Sequence, residues 1–267
     1  MTENDWLTHN LHERLTNLNT DLKVTIKSYD SEQLSFKDAS DRIVQKIANL
    51  NKPIFISLSG GMDSEYVLKC FMDNKIDVTP IIVKTDGNLY ESSYAFHFCR
   101  KNDITPIVLE NFNNQDILKI FYNDIFKKIN GVGIHSVPAL ISGRYAEDNN
   151  GILIRGEHLI EDDVDWNASI KGIGSNEYDF YNDTLIHKEN TYYFFLHDIN
   201  IAKAMVREIR VDETAQEFKH RIYGIPYRPK FDYHYDKLFD DVFNSILKSR
   251  LYRPNYSFRF DINKFKD

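Results

Sequence analysis

From Pro53 onward the chain alternates short apolar runs with longer amphipathic stretches, and no other feature constrains its fold as strongly. The apolar runs are Ile54-Phe-Ile-Ser-Leu58, Val78-Thr-Pro-Ile-Ile-Val-Lys84, Thr105-Pro-Ile-Val-Leu109 and Gly151-Ile-Leu-Ile-Arg155, each the length of a buried strand. Between them the spacing predicts helices over 63–74, 91–102, 115–129 and 137–148. Strands of this length separated by helices of about ten residues or more form right-handed βαβ units on a parallel sheet. Thr191-Tyr-Tyr-Phe-Phe-Leu196 reads as a fifth strand, and from Asn200 the pattern is mostly helical, broken by Pro226, Pro229 and Pro254. The expected fold is therefore α/β: an open, mainly parallel five-stranded sheet with helices on both faces.

Ahead of Pro53 lies a short α+β segment. Leu22, Val24 and Ile26 alternate with polar residues as in a half-buried strand. Ser35-Phe-Lys-Asp38 has the form of a helix start, and Phe36, Ala39, Ile43, Ile47 and Leu50 follow at helical spacing. Three units are expected: residues 1–52, an α/β domain over 53–199, and a helical extension over 200–267.

Composition removes several classes of function. No run approaches the ~18 apolar residues of a membrane span, and the first residues lack the charge and apolar pattern of a secretory signal. A cytoplasmic location is the expectation. Two cysteines, Cys70 and Cys99, are too few for a disulfide framework or a four-thiolate zinc site, and both are expected in the core. The 33 Lys and Arg against 40 Asp and Glu give a net charge of −7, which disfavours sequence-blind binding to a nucleic-acid backbone. The basic and aromatic stretch at 248–259 leaves such a partner open but not favoured.

In an open parallel sheet ligands bind beyond the carboxyl ends of the strands. Directly after the first buried strand stands Ser59-Gly60-Gly61-Met62-Asp63-Ser64. Two glycines allow a sharp turn and close approach to a ligand, two serines supply hydroxyls, and the following helix supplies unpaired N–H groups. The residues alone read either as an anion cradle or as a plain β-to-α turn in which Asp63 or Ser64 caps the helix. After the fourth strand, residues 157–165 hold five carboxylates in nine residues, either a solvated acidic loop or part of a metal site.

The hexapeptide resembles the signature loop of the PP-loop ATP pyrophosphatase superfamily, Ser-Gly-Gly-x-Asp-Ser after the first strand. It is neither a Walker loop nor a dinucleotide fingerprint. The resemblance implies ATP cleaved between its α- and β-phosphates, AMP passed to a carboxylate or carbonyl oxygen, and pyrophosphate released. Ser59, Gly60, Gly61, Ser64 and Gly156 would then hold the phosphates, and main chain near Leu58 and Val83 would read the adenine. Asp63, with Glu157, Glu161 and Asp162, would hold Mg2+, a hard cation suited to oxygen ligands. Gly156-Glu157 and the acids after it are similar to the Gly-Glu-Gly-Ala-Asp-Glu loop of the synthetase domain of asparagine synthetases, although His158 and Ile160 depart from that pattern. The segment from His220 to Asp232 resembles their Arg-x-Pro-Phe-x-Asp stretch.

A positive residue is expected at the α-phosphate. Arg155, Lys84, Arg144, Arg228 and Lys230 qualify by position, and Arg155 and Lys230 join Asp63 as the expected catalytic set. The implied activity is an AMP-forming carbon–nitrogen ligase using ATP and Mg2+, with a small acid or amide acceptor. The glutaminase module of glutamine-using asparagine synthetases has no counterpart in the first fifty residues, so an amine, ammonia or a separate amidotransferase partner would bring the nitrogen. Two other readings stand beside it: a nucleobase- or tRNA-modifying enzyme of the same superfamily, and a non-catalytic ATP-binding subunit.

Overall fold

A computed structural model of the chain describes residues 7–9, 24–26, 32–126, 136–156, 190–210 and 213–228. Two short strands, β1 (Leu7–His9) and β2 (Val24–Ile26), pair antiparallel. Helix α1 (Phe36–Ala48) follows, started by the Ser35 side chain accepting from the Asp38 N–H as the sequence pattern predicts.

The main sheet contains β3 (Ile54–Ser57), β4 (Thr79–Thr85), β5 (Ile107–Phe112), β6 (Ile152–Arg155) and β7 (Thr191–Tyr193). Its order is β5-β4-β3-β6-β7, and every neighbouring pair is parallel. The connecting helices are α2 (Met62–Asp73), α3 (Leu89–Lys101), α4 (Asn114–Ile120) and α5 (Ser136–Asp148). Two more, α6 (Ile199–Arg207) and α7 (Ala215–Tyr223), follow the sheet.

Both faces of the sheet are covered at β3, β4 and β6, which explains why these strands read as continuous apolar runs, while the edge strand β5 is only half-buried. Successive side chains alternate between two cores. Ile54, Ile56, Ile82, Ile152 and Ile154 enter one core with α1, α2, α6 and α7. Phe55, Ile81, Val83 and Leu153 enter the other with α4 and α5. Helix α1 lies against the first of these cores through Phe36, Ala39, Ile43, Val44 and Ile47.

Two expected elements are shorter in the structure. The fifth strand ends at Tyr193, and Phe194–Leu196 turns into a 3-10 helix that buries Phe194 and Phe195. The helix expected over 115–129 is regular only to Ile120, beyond which Phe121–Phe126 widens into a π-turn. Across Tyr192–Leu196 aromatic and apolar residues continue without a break while the hydrogen-bonding pattern changes. Among the described residues no helix is long and apolar enough to cross a membrane.

The topology sets the position of a cleft. From β3 the chain goes to β4 and β5 on one side, then returns to β6 on the other, so the strand order reverses between β3 and β6. The turns after these two strands flank the switch point, where open α/β sheets bind ligands.

Candidate functional site

The turn after β3 is residues 58–61, and its glycines are required by contact. Gly60 has φ +96°, and a Cβ there would lie 2.1 Å from the Glu91 carbonyl oxygen. Gly156, directly after β6, packs on the same place from the other side: a Cβ would come 2.8 Å from the backbone of Asp63 and Ser64. The turns from β3 and β6 therefore meet at the first turn of α2.

Helix α2 begins without a side-chain cap. Its N-cap is Gly61, so neither Asp63 nor Ser64 plays that part. By contrast α1, α4, α6 and α7 are each capped, by Ser35, Asn113, Asp198 and Thr214, while α3 shares with α2 the lack of a side-chain cap. An uncapped N-terminus leaves N–H donors and the positive end of the helix dipole for a ligand. The serines tie the turn to itself: the Ser59 and Ser64 hydroxyls are 3.1 Å apart, Gly61 N–H donates to Ser59 Oγ at 3.2 Å, and Ser64 Oγ donates to the Gly61 carbonyl at 3.0 Å. The cradle is thus held in shape before any anion arrives.

Asp63 points away from these hydroxyls to two residues of α7. Lys219 Nζ donates to Oδ2 at 2.9 Å and the Tyr223 hydroxyl donates to Oδ1 at 2.7 Å. Lys219 is 4% exposed and Asp63 14%, so the pair is only partly screened by water. Burial first, and then the Asp63 carboxylate, hold the Tyr223 phenol well above its usual range. The Tyr223 ring is fixed by stacking: its centroid lies 4.4 Å from Tyr66 and 5.8 Å from Phe195, and Phe36 packs 5.3 Å from Tyr66. Such pairs contribute about 0.5–1.5 kcal/mol each beyond area burial. An aromatic core thereby aims a polar group at the site.

Glu65, one turn position further, is fully buried and takes a two-pronged pair from Arg228, with NH1 to Oε1 at 2.6 Å and NH2 to Oε2 at 2.7 Å. Arg228 NH1 also donates to the Gly60 carbonyl at 2.6 Å, and the guanidinium lies 4.6 Å from the Tyr94 ring centroid. Burial pushes the Glu65 carboxyl up, and Arg228 opposes that shift. Glu91, whose carbonyl touches Gly60, has Oε1 buried without a hydrogen-bond partner among the described residues, and burial pushes its carboxyl up to about 7.

The remaining sequence candidates fall in different places. Leu58 and Val83 stand at the ends of adjacent strands. Leu58 N–H donates to the Ile81 carbonyl, and the Val83 carbonyl accepts from Asn88 Nδ2. Arg155 is buried at the end of β6, where it donates to the Tyr193 hydroxyl at 2.7 Å. Lys84 pairs with Glu110 and Arg144 with Asp124 on exposed surface. Glu157, His158, Glu161, Asp162 and Lys230 lie outside the described residues.

Cys70 and Cys99 are buried as expected, and burial pushes their thiols up to about 12 and about 11, far from a thiolate. Among the described residues no three His, Cys, Asp or Glu side chains gather at one metal position. A separate cavity of about 360 Å³ is lined by Phe36, Tyr66, Cys70 and Tyr223 and by the ion pairs Lys37–Asp41 and Lys69–Asp73; residues 59–64 do not line it.

Sequence reasoning missed Lys219, Tyr223 and Glu65. A signal for Lys219 was present: it falls on the buried stripe of a capped helix, with Ala215, Phe218 and Tyr223 at helical spacing. A lysine placed there needs a buried anion.

No family model and no curated protein matches the chain. Solved structures do. The chain is similar to the NMN synthetase from Francisella tularensis, at 16% identity over 84% of this chain and 100% of that one, with a TM-score of 0.38. It is also similar to the U34-tRNA thiolase NcsA from Methanococcus maripaludis, at 16% identity over 81% and 75%, with a TM-score of 0.42. A third is the NH3-dependent NAD synthetase from Campylobacter jejuni, at 21% identity over 45% of this chain, with a TM-score of 0.34. Against that protein the match spans about half the length, 54%. These likenesses concern the course of the chain, and what the loop can do follows from its own residues.

Proposed function

We propose that the chain is a PP-loop ATP pyrophosphatase that forms a carbon–nitrogen bond through an adenylated intermediate. The observation that carries this reading is the uncapped start of α2 at the sheet's switch point, fronted by Gly60 and Gly61, with Asp63 held beside it by Lys219 and Tyr223. An anion with several negative oxygens suits such a place, because backbone donors and the helix dipole face it and a buried ammonium stands alongside.

In this reading Ser59, Gly60, Gly61 and Ser64 hold the pyrophosphate end of ATP, with Gly156 closing the turn from the β6 side. Main chain at the ends of β3 and β4, near Leu58 and Val83, receives the adenine. An acceptor oxygen attacks the α-phosphorus, the bond to the β-phosphate oxygen breaks, and pyrophosphate leaves with the electron pair. A nitrogen nucleophile then attacks the adenylated carbon, loses its proton and displaces AMP. Lys219, the buried ammonium on Asp63, joins Arg155 and Lys230 as a candidate for the positive group near the phosphates. Arg155 donates to Tyr193 at the β6–β7 edge, and Lys230 belongs to the segment after Arg228.

Asp63 offers hard oxygen donors of the kind Mg2+ prefers, and a nucleotide-bound Mg2+ needs only one or two protein carboxylates because phosphates supply the rest. Glu157, Glu161 and Asp162 are the further candidates on the loop after Gly156. When bound, the ion neutralises charge on the departing pyrophosphate.

The test is product analysis with Mg-ATP, small carboxylic acids or amides, and ammonia. AMP and pyrophosphate are expected, and Asp63→Asn is expected to abolish their formation, with a loss of stability as well because buried Lys219 loses its anion. Formation of ADP and phosphate would overturn the reading. AMP formation that requires tRNA would move the acceptor to a nucleobase.

A further inference from the structure

The peptide between Gly60 and Gly61 depends for its orientation on the contacts made to it. It is flanked by two residues without a Cβ, and Gly60 occupies the positive-φ region at +96°. Nothing in its own sequence prevents this peptide from rotating, yet its orientation decides where the Gly61 N–H points. In a planar trans peptide the C=O and N–H face opposite ways, so whatever holds the Gly60 carbonyl also aims the Gly61 N–H.

Arg228 holds that carbonyl, at 2.6 Å, from 168 residues away in the sequence. The guanidinium is itself fixed on two further sides, by the paired oxygens of fully buried Glu65 and by the Tyr94 ring. On the opposite side of the peptide the Gly61 N–H meets Ser59 Oγ, which in turn meets Ser64 Oγ. One side of the peptide is thus pinned by a buried cation, and the other presents donors among the two serine hydroxyls.

From this geometry we propose that Arg228 is a positioning residue: it orients the Gly60–Gly61 peptide so that the loop binds the pyrophosphate end of the nucleotide. It acts through the peptide and does not touch the ligand. Glu65 and Tyr94 keep the guanidinium in the one pose that reaches both partners. An ammonium cannot replace this fork, since three acceptors in two directions need a planar multi-donor group. The inference rests on the proposed nucleotide reading of the loop and assigns that site a determinant in the segment after α7.

Titration calorimetry on the full chain, with inorganic pyrophosphate plus Mg2+ in one series and AMP in another, tests it. Arg228→Lys is expected to weaken pyrophosphate binding about tenfold or more and to leave AMP binding within about twofold. Glu65→Gln, which keeps the side-chain shape but only one acceptor oxygen, is expected to weaken pyrophosphate by a smaller factor in the same direction. If Arg228→Lys does not fold, Glu65→Gln carries the test with the same two ligands. Unchanged pyrophosphate affinity, or equal losses for pyrophosphate and AMP, would overturn the positioning role. Wild-type protein that binds AMP but no pyrophosphate would instead overturn the nucleotide reading on which the role depends.

Discussion

Two bases from α7 and the residues after it reach back to two carboxylates in a single turn of α2, and they do so differently. Lys219 meets Asp63 through one ammonium contact, with Tyr223 sharing the carboxylate, at a place that retains some exposure. Arg228 meets Glu65 through a two-pronged contact with no exposure of the acid at all, and adds a third bond to the Gly60 carbonyl. The first pair is exchangeable, since a compact ammonium on a flexible stem can move to another anion without leaving a rigid hole. The second is locked, because separating a buried, hydrogen-bonded pair leaves a charge without compensation. Position within the helical turn decides which is which: residue 63 meets Lys219 and Tyr223 of α7, whereas residue 65 meets Arg228 of the segment after α7.

The contrast is broken most severely at its exchangeable half. Lys219→Met should lower the rate of AMP formation by roughly 10²–10³, the cost of removing one preorganised charge from a site of this kind, measured by single-turnover release of pyrophosphate. A change below about threefold would return the α-phosphate role to Arg155 or Lys230. At the locked half, Gly60→Ala should destabilise the protein by roughly 2–4 kcal/mol, read by denaturant unfolding. Its Cβ would meet the Glu91 carbonyl at 2.1 Å, and both atoms are backbone-bound.

A smaller effect sharpens the first pair. Tyr223→Phe keeps the aromatic stack and removes only the hydroxyl on Asp63, so about 1–2 kcal/mol of stability should be lost, with the Phe36–Tyr66–Phe195 packing retained. The effect at Glu91, beside the locked pair, depends on pH. Its folded pKa, about 7, lies above the ordinary 4.5, so the protonated acid is favoured in the folded state. Its contribution is complete below about pH 4.5 and is lost as pH rises through about 7. Glu91→Gln should therefore raise the melting temperature at pH 8 and leave it nearly unchanged at pH 4; an equal effect at both would show that Glu91 does not titrate in this range.

Much of this arrangement was legible in the sequence. The apolar runs at 54–58, 78–84, 105–109 and 151–155 could be strands buried on both faces, and the observed sheet contains each of them. Ser35 marked the start of α1 because a hydroxyl three residues before an N–H makes a local cap, a contact that needs no partner elsewhere. The loop at 59–64 was legible for the same reason: a turn between a strand and a helix, rich in glycine and serine, is a local structure.

Contacts that joined distant segments were not legible. The helical stripe could mark Lys219 as buried and position could make Arg228 a candidate, but neither gave the partner, Asp63 or Glu65, which depends on how α7 and the residues after it pack on α2. Arg155 was a candidate through its strand end alone, and its bond to Tyr193 along the sheet edge is a contact that the sequence did not disclose. The shortened fifth strand failed for a different reason: Tyr192 to Phe195 are apolar throughout, and burial alone does not distinguish a strand from the tight turn that follows it.

The sequence by itself determined the parallel sheet, the turn at residues 59–64 and the burial of both cysteines, because periodicity, turn chemistry and hydrophobicity act over a few neighbouring residues. Only the tertiary structure decided that Asp63 would face Lys219 and Tyr223, that Glu65 would be buried against Arg228, and that a glycine peptide would be held from 168 residues away. Those partners are set by how helices pack across a core, and the free energy of such contacts depends on burial and direction that exist only once the chain has folded.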